Sequence, residues 1–117
     1  MNRRQIGSQQ ERIAIQYLEE NGYQVEAQNY WTRFGEIDIV AREAGYLCFV
    51  EVKYRANARY GAPEGVITSQ KMRRIGKAAQ YYLYENGILA DTPIRFDVVM
   101  IVGETIILYK NAFEAKE

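Results

Sequence analysis

Hydrophobic positions recur at two periods along this chain, and the switching between them outlines a fold. From about residue 3 to residue 21, Ile6, Ile13, Ala14, Tyr17 and Leu18 fall on one stripe at helical spacing. Asn21-Gly22 then supplies the residues that favour a helix C-terminus. Tyr23 to Tyr30 reads as a strand, and Trp31-Thr32-Arg33-Phe34-Gly35 as a connection. Glu36 to Arg42 and Tyr46 to Tyr54 read as strands of period two, with Glu43-Ala44-Gly45 providing turn chemistry between them. Arg55 to Gly65 carries glycine and proline without periodicity, which predicts a loop. A second helix is predicted from a Thr68 or Ser69 cap to Asn86, with Met72, Ile75, Ala79, Tyr82 and Leu83 as its apolar stripe and Asn86-Gly87 as its stop. Strands Ile94 to Val102 and Thr105 to Lys110 follow, turned at Gly103-Glu104, and the last residues are expected to fray.

The predicted order is α-β-β-β-α-β-β in a single domain covering residues 1–117, an α/β fold with a mixed sheet flanked by helices. A length of 117 residues and a 48% hydrophobic share suit one domain with a real core. No apolar run is long enough for a membrane span, and no apolar signal core follows Met1, so the expected location is the cytoplasm. The single cysteine, Cys48, lies in an apolar strand and reads as a buried, inert thiol.

Composition then narrows the chemistry. The chain has no histidine, which removes Ser-His and Cys-His catalysis and histidine-ligated zinc. Hydrolysis would have to use carboxylates, lysine, tyrosine or a metal held by oxygens, and hard oxygen ligands favour magnesium or manganese.

Two strands carry carboxylates where a plain core would carry hydrophobes: Gly35-Glu36-Ile37-Asp38, and Phe49-Val50-Glu51-Val52-Lys53. Side chains two apart share a strand face, so Glu36 goes with Asp38, and Glu51 with Lys53. A hairpin loop of two or four residues would set Asp38 opposite Glu51 and Glu36 opposite Lys53, whereas a three-residue loop would scatter the charges. The first register is expected, because it leaves Ile37, Ile39, Val50 and Val52 as a wholly apolar face for the core. It also sets two like charges across from one another, which is unfavourable without a counter-ion. A divalent cation would relieve that repulsion and could activate water for phosphodiester cleavage, with Lys53 beside it.

Net charge is zero, yet from Lys53 to Lys77 there are seven basic residues and one acid, leaving the remainder at −6. This asymmetry suits a one-sided surface for phosphate. Lys71 and Arg74 lie on one edge of the second helix's apolar stripe, with Arg73 and Lys77 on its back. Arg55, Arg59, Lys71 and Arg74 are the candidate nucleic-acid contacts. Ten tyrosines, several of them on the second helix, could stack on unpaired bases. Arg95 and Asp97 share a strand face and are expected to pair.

Taken together these residues resemble a family. Gly7 and Glu11 with Ala14 and Tyr17-Leu18, Gly35-Glu36-Ile37-Asp38, Phe49-Val50-Glu51-Val52-Lys53 with Arg55, Gly61 and Pro63, Lys71 with Arg73-Arg74, and Arg95-Phe96-Asp97-Val98-Val99 are similar to the YraN-type uncharacterised bacterial proteins. These are grouped with the PD-(D/E)XK endonuclease-like superfamily, which includes Holliday-junction resolvases. The resemblance implies a restriction-endonuclease-like α-β-β-β-α-β core, here with an extra C-terminal strand. It places the catalytic acid at Asp38, the Glu-x-Lys element at Glu51 and Lys53, and a helix acid at Glu11. Ile37 stands where the superfamily motif has proline, and Gln10 where many relatives have glycine.

The resulting expectation is a Mg2+- or Mn2+-dependent nuclease cleaving DNA, with branched or single-stranded DNA in repair or recombination as substrate. Asp38 and Glu51 hold the metal, Glu11 or Glu36 assists, and Lys53 activates or positions water. The alternative is a non-catalytic nucleic-acid-binding or recombination accessory protein of the same fold. Resolvase-like action on a four-way junction would require two active sites and hence a homodimer.

Overall fold

A computed structural model describes residues 3–55 and 67–114. Helix α1 (Arg3–Glu20) precedes a three-strand meander of β1 (Gln24–Thr32), β2 (Gly35–Glu43) and β3 (Tyr46–Arg55). Helix α2 (Ser69–Glu85) leads to the hairpin of β4 (Ile94–Val102) and β5 (Thr105–Phe113). The strands form one sheet in the order β1-β2-β3-β4-β5. Every neighbour pair is antiparallel except β3 and β4, which run parallel because α2 lies between them in sequence and returns the chain to the same end. The element order and the mixed α/β sheet are those expected, and no helix is long and apolar enough to cross a membrane among the described residues.

Both faces of the sheet are buried. Val40, Leu47, Phe49, Phe96 and Val98 pack with Ile75, Ala78, Ala79 and Tyr82 of α2. Ile39, Ala41, Cys48, Val50, Val99 and Ile101 pack with Ala14 and Leu18 of α1. The expected single apolar face is therefore corrected to two, because a helix covers each side and central strands buried on both faces lose their hydrophobic–polar alternation. Ile37 joins the α2 side rather than the α1 side occupied by Ile39. The α1 stripe is also narrower than predicted: Ile13 is 38% exposed, while Ala14 and Leu18 are sealed. Ile6 falls outside the described side chains.

Local signals behave as their chemistry requires. Thr68 caps α2, its side chain accepting from the Lys71 N–H at 3.1 Å. The β2–β3 hairpin closes at Glu43↔Tyr46 over Ala44 and Gly45, both at positive φ, so the loop has two residues. Two boundaries differ from expectation. β1 runs on to Thr32, shortening the connection to Arg33-Phe34. β5 does not fray at Lys110 but continues to Phe113, whose ring stacks on Phe96 at 5.2 Å and is buried. That apolar anchor lies across the sheet, where no local pattern announces it.

In β4, beside Val50 of β3, Asp97 is fully buried yet fully engaged. It accepts from Tyr23 Oη at 2.7 Å, from Arg95 Nε and Nη2 at 2.9 Å each, and from the Asn111 N–H at 2.9 Å. Arg95 also donates to Glu43 at 2.8 Å. The Arg95–Asp97 pair expected from strand parity is thus present and is structural.

Candidate active site

Ile37 and Val40 both lie on the α2 side, so strict alternation fails at Asp38. Asp38 and Glu51 nevertheless share a pocket with Lys71, Arg74 and Ile75 of α2. The β2–β3 ladder keeps the expected parity but stops at Ile39↔Val50, one pair short of Asp38 and Glu51. There the strands part, and Asp38 Oδ2 instead accepts the Val52 N–H at 2.8 Å. The separation relieves two like charges that a continued ladder would press together. Gly35, with φ +151, begins β2 in a conformation that suits glycine, close to the Arg74 side chain of α2.

Into this opening comes Glu11 from α1, on the other layer. Carboxylate oxygens of Glu11, Glu36 and Asp38 lie within 4.8 Å of one another. Glu36, Asp38 and Glu51 line one pocket with Lys71, Arg74 and Ile75. Glu51 is only 2% exposed; its Oε2 takes Lys71 Nζ at 3.1 Å and Lys53 Nζ at 3.8 Å, while its Oε1 has no partner among the described residues.

The electrostatics are those of acids held against their preference. Burial first, and then the Asp38 charge, push the Glu51 carboxyl up to about 7. Burial raises Asp38 as well, against the pull of the Val52 N–H. Burial followed by the Asp38 and Glu11 charges raises Glu36. Glu11 is raised by burial, opposed by a hydrogen bond from Asn29. Lys53 is brought down to about 8 by burial and by the neighbouring Lys71 ammonium. Burial is the largest influence on Lys71 and opposes its charge, but Glu51, Lys53 and Asp38 together outweigh it and leave this lysine raised.

The geometry regroups the expected metal ligands. The tight set is Glu11, Glu36 and Asp38, while Glu51 lies against two lysines. All donors are carboxylate oxygens, which suit a hard cation, and the unpartnered, sealed Glu51 Oε1 is a donor atom that the protein itself leaves unsatisfied. These residues fit a magnesium or manganese ion.

The uncharacterised protein family UPF0102 matches residues 10–101 of the chain, a span that includes every residue of this pocket. The chain belongs to UPF0102. Among its relatives, a UPF0102 protein of Lachnoclostridium phytofermentans is 56% identical over 98% of each chain. One from Legionella pneumophila is 45% identical over 90% of this chain and 91% of its own. Another from Persephonella marina is 41% identical over 92% of each. This is the family of YraN-type proteins that the motifs resemble.

Of the candidate nucleic-acid contacts in this UPF0102 chain, Lys71 and Arg74 reach the pocket. Arg55 stands at the end of β3 and donates through Nη1 to the carbonyl oxygen of Tyr54. Arg59 lies outside the described residues. Sequence reasoning missed Asn29, which sits at φ 52 within β1 and whose polar side chain holds the Glu11 carboxyl down against its burial. The available signal was an asparagine inside a strand, a residue type that tolerates positive φ. Lys71 was expected to meet phosphate; here it also neutralises Glu51, a contact between segments 20 residues apart that no local pattern encodes.

Proposed function

We propose that this UPF0102 protein is a magnesium- or manganese-dependent nuclease that cleaves DNA phosphodiester bonds. The observation that carries the reading is the convergence of Glu11, Glu36 and Asp38 within 4.8 Å, beside a buried Glu51 and two lysines. The choice of DNA, and of repair or recombination intermediates, rests on the resemblance to resolvase-type endonucleases.

Glu11, Glu36 and Asp38 would hold the cation, with Glu51 completing the acidic wall. When bound, a divalent ion there supplies Lewis acidity toward a phosphate oxygen and lowers the pKa of coordinated water. Lys71 and Arg74 line the same pocket and can hold the scissile phosphate. Lys53, with its amine at about 8, is still mainly protonated at neutral pH. It can orient the attacking water and offset charge that builds on the phosphate oxygens. Asn29 favours the charged form of Glu11.

The test is a cleavage panel of single strands, duplexes, flaps, forks and four-way junctions with magnesium or manganese, run beside Lys53→Ala and RNA counterparts. Wild type should cut, a chelator should stop it, and Lys53→Ala should lose about 100-fold or more, as the removal of a transition-state donor does. Equal cleavage by the variant would refute the mechanism. Calorimetry showing no manganese binding that depends on Asp38 would favour the non-catalytic accessory role instead.

A further inference from the structure

Beyond the acid pocket, the surface of α2 and the β1–β2 turn carries a feature that cleavage chemistry does not use. The acid pocket shares Arg74 with a second groove, lined by Arg33, Phe34, Gln70, Arg73, Arg74 and Lys77. That groove has four cations and no acid in its walls. It shares Arg33 with a third hollow, formed by Trp31, Thr32, Tyr81 and Glu85. The three hollows therefore adjoin, each sharing one arginine with the next: acids, then cations, then aromatics.

The cations are free to meet anions. Among the described residues, Arg33, Arg73, Arg74 and Lys77 have no acid partner. Arg33 and Lys77 instead approach the Phe34 ring, at 4.9 and 5.8 Å from its centre. The turn that carries Arg33 and Phe34 is pinned, because Thr32 Oγ1 accepts the Phe34 and Gly35 N–H groups at 3.0 and 3.1 Å and donates to the Gly35 carbonyl at 2.9 Å. Glu85, the one acid of the aromatic hollow, is engaged by Tyr30 Oη at 2.8 Å.

The aromatics present their faces to solvent. Trp31 is 74% exposed, and Tyr81 and Tyr84 lie beside one another on the outer face of α2, both open to solvent. Lys71, Arg74, Lys77 and Tyr81 succeed each other at intervals of three or four, an inclined row that runs from the edge of the apolar stripe onto the outer face of the helix. Ten residues at a rise of about 1.5 Å give that row roughly 15 Å. At about 3.4 Å per stacked nucleotide, it would accommodate roughly four.

Cations spaced along a path and flat aromatic faces at its end are the two elements of single-strand recognition, phosphates on the one and unpaired bases on the other. A duplex keeps its base faces stacked on one another and offers none to Trp31. We propose that this surface is a binding track for unpaired nucleotides, with bases stacked on Trp31 and Tyr81 and their backbone led over Arg33, Lys77 and Arg74 to the acid pocket. The direction of the track rests on the nuclease reading; the binding itself does not.

The protein supplies its own probe, since Trp31 is the only tryptophan in the chain. Oligothymidylate of about a dozen nucleotides, within the usual range of single-strand sites, should be titrated in EDTA, reading tryptophan emission and the anisotropy of a labelled strand. The expected result is saturable quenching of Trp31 by the single strand and none by a blunt duplex. Trp31→Ala should weaken single-strand binding about tenfold, as loss of one stacked base does, Trp31→Phe should restore most of it, and Arg33→Ala should reduce its salt dependence. Circular dichroism should be the same for all variants, because these side chains lie outside the core. Absence of binding, or binding without quenching and without effect of Trp31→Ala, would overturn the track. Binding with quenching but no metal-dependent cleavage would uphold the track and refute the nuclease reading. Cleavage of single-stranded flanks that Trp31→Ala and Tyr81→Ala leave unchanged would uphold the nuclease and overturn the track.

Discussion

Replacing Glu51 by glutamine should stabilise the metal-free fold at alkaline pH while weakening its hold on metal. Burial and the Asp38 charge raise this carboxyl from its ordinary 4.5 to about 7 in the folded chain. A raised acid binds its proton more tightly in the folded state than in the unfolded state. The folded protein is therefore penalised above pH 7, relieved progressively as pH falls from 7 to 4.5, and free of the penalty below that. At about 1.4 kcal/mol per pH unit the penalty is about 3–4 kcal/mol, for a side chain only 3% exposed. In a domain of this size that is roughly 10 °C in melting temperature. Glutamine cannot ionise, so wild type and Glu51→Gln should differ most at pH 8 in EDTA and converge near pH 4.5. Lys53, at about 8 and in contact with Glu51, begins to titrate at the top of this range, so the slope between pH 4.5 and 7 carries the test. Manganese should then raise the wild-type melting point at pH 8 by binding the folded state, by about 2.7 kcal/mol at a hundredfold excess over Kd, with a smaller gain for the variant. The assay is thermal unfolding followed by circular dichroism across pH. A variant that melts at or below wild type at pH 8 in EDTA would refute the reasoning, because it would mean that the ion pairs with Lys71 and Lys53 outweigh the burial of the charge.

Asp97→Ala should cost about 3–5 kcal/mol in urea unfolding, because it strands the buried Arg95 and Tyr23 Oη; replacing Arg95 by methionine and Asp97 by leucine together should cost less than the single change, and a loss below about 1 kcal/mol for Asp97→Ala would show that water takes over the partners. Cys48, sealed in the sheet with its thiol pushed up to about 12, should resist iodoacetamide at pH 8 in the folded protein and react on unfolding. Labelling of the native protein at the rate of a free thiol would contradict that placement.

The chain's own pattern determined a good deal. Period-two spacing put Glu36 with Asp38, Glu51 with Lys53 and Arg95 with Asp97, and the Ala44-Gly45 turn set the parity of the β2–β3 pair. Thr68 and the Asn86-Gly87 stop bounded α2 correctly, because capping and positive φ are decided by adjacent residues. Tertiary structure alone decided the rest. The ladder ends before Asp38 and Glu51 meet, so Asp38 turns to the Val52 N–H and the acids that cluster are Glu11, Glu36 and Asp38. Glu51 acquires Lys71, Glu11 acquires Asn29, and Phe113 extends β5 by stacking on Phe96. Trp31, read as part of a connection, becomes the exposed end of an edge strand beside Tyr81. The physical reason is range. Strand alternation and helix caps depend on neighbours along the chain, whereas the balance between like charges, backbone donors and desolvation is struck among groups that only the packed layers bring together.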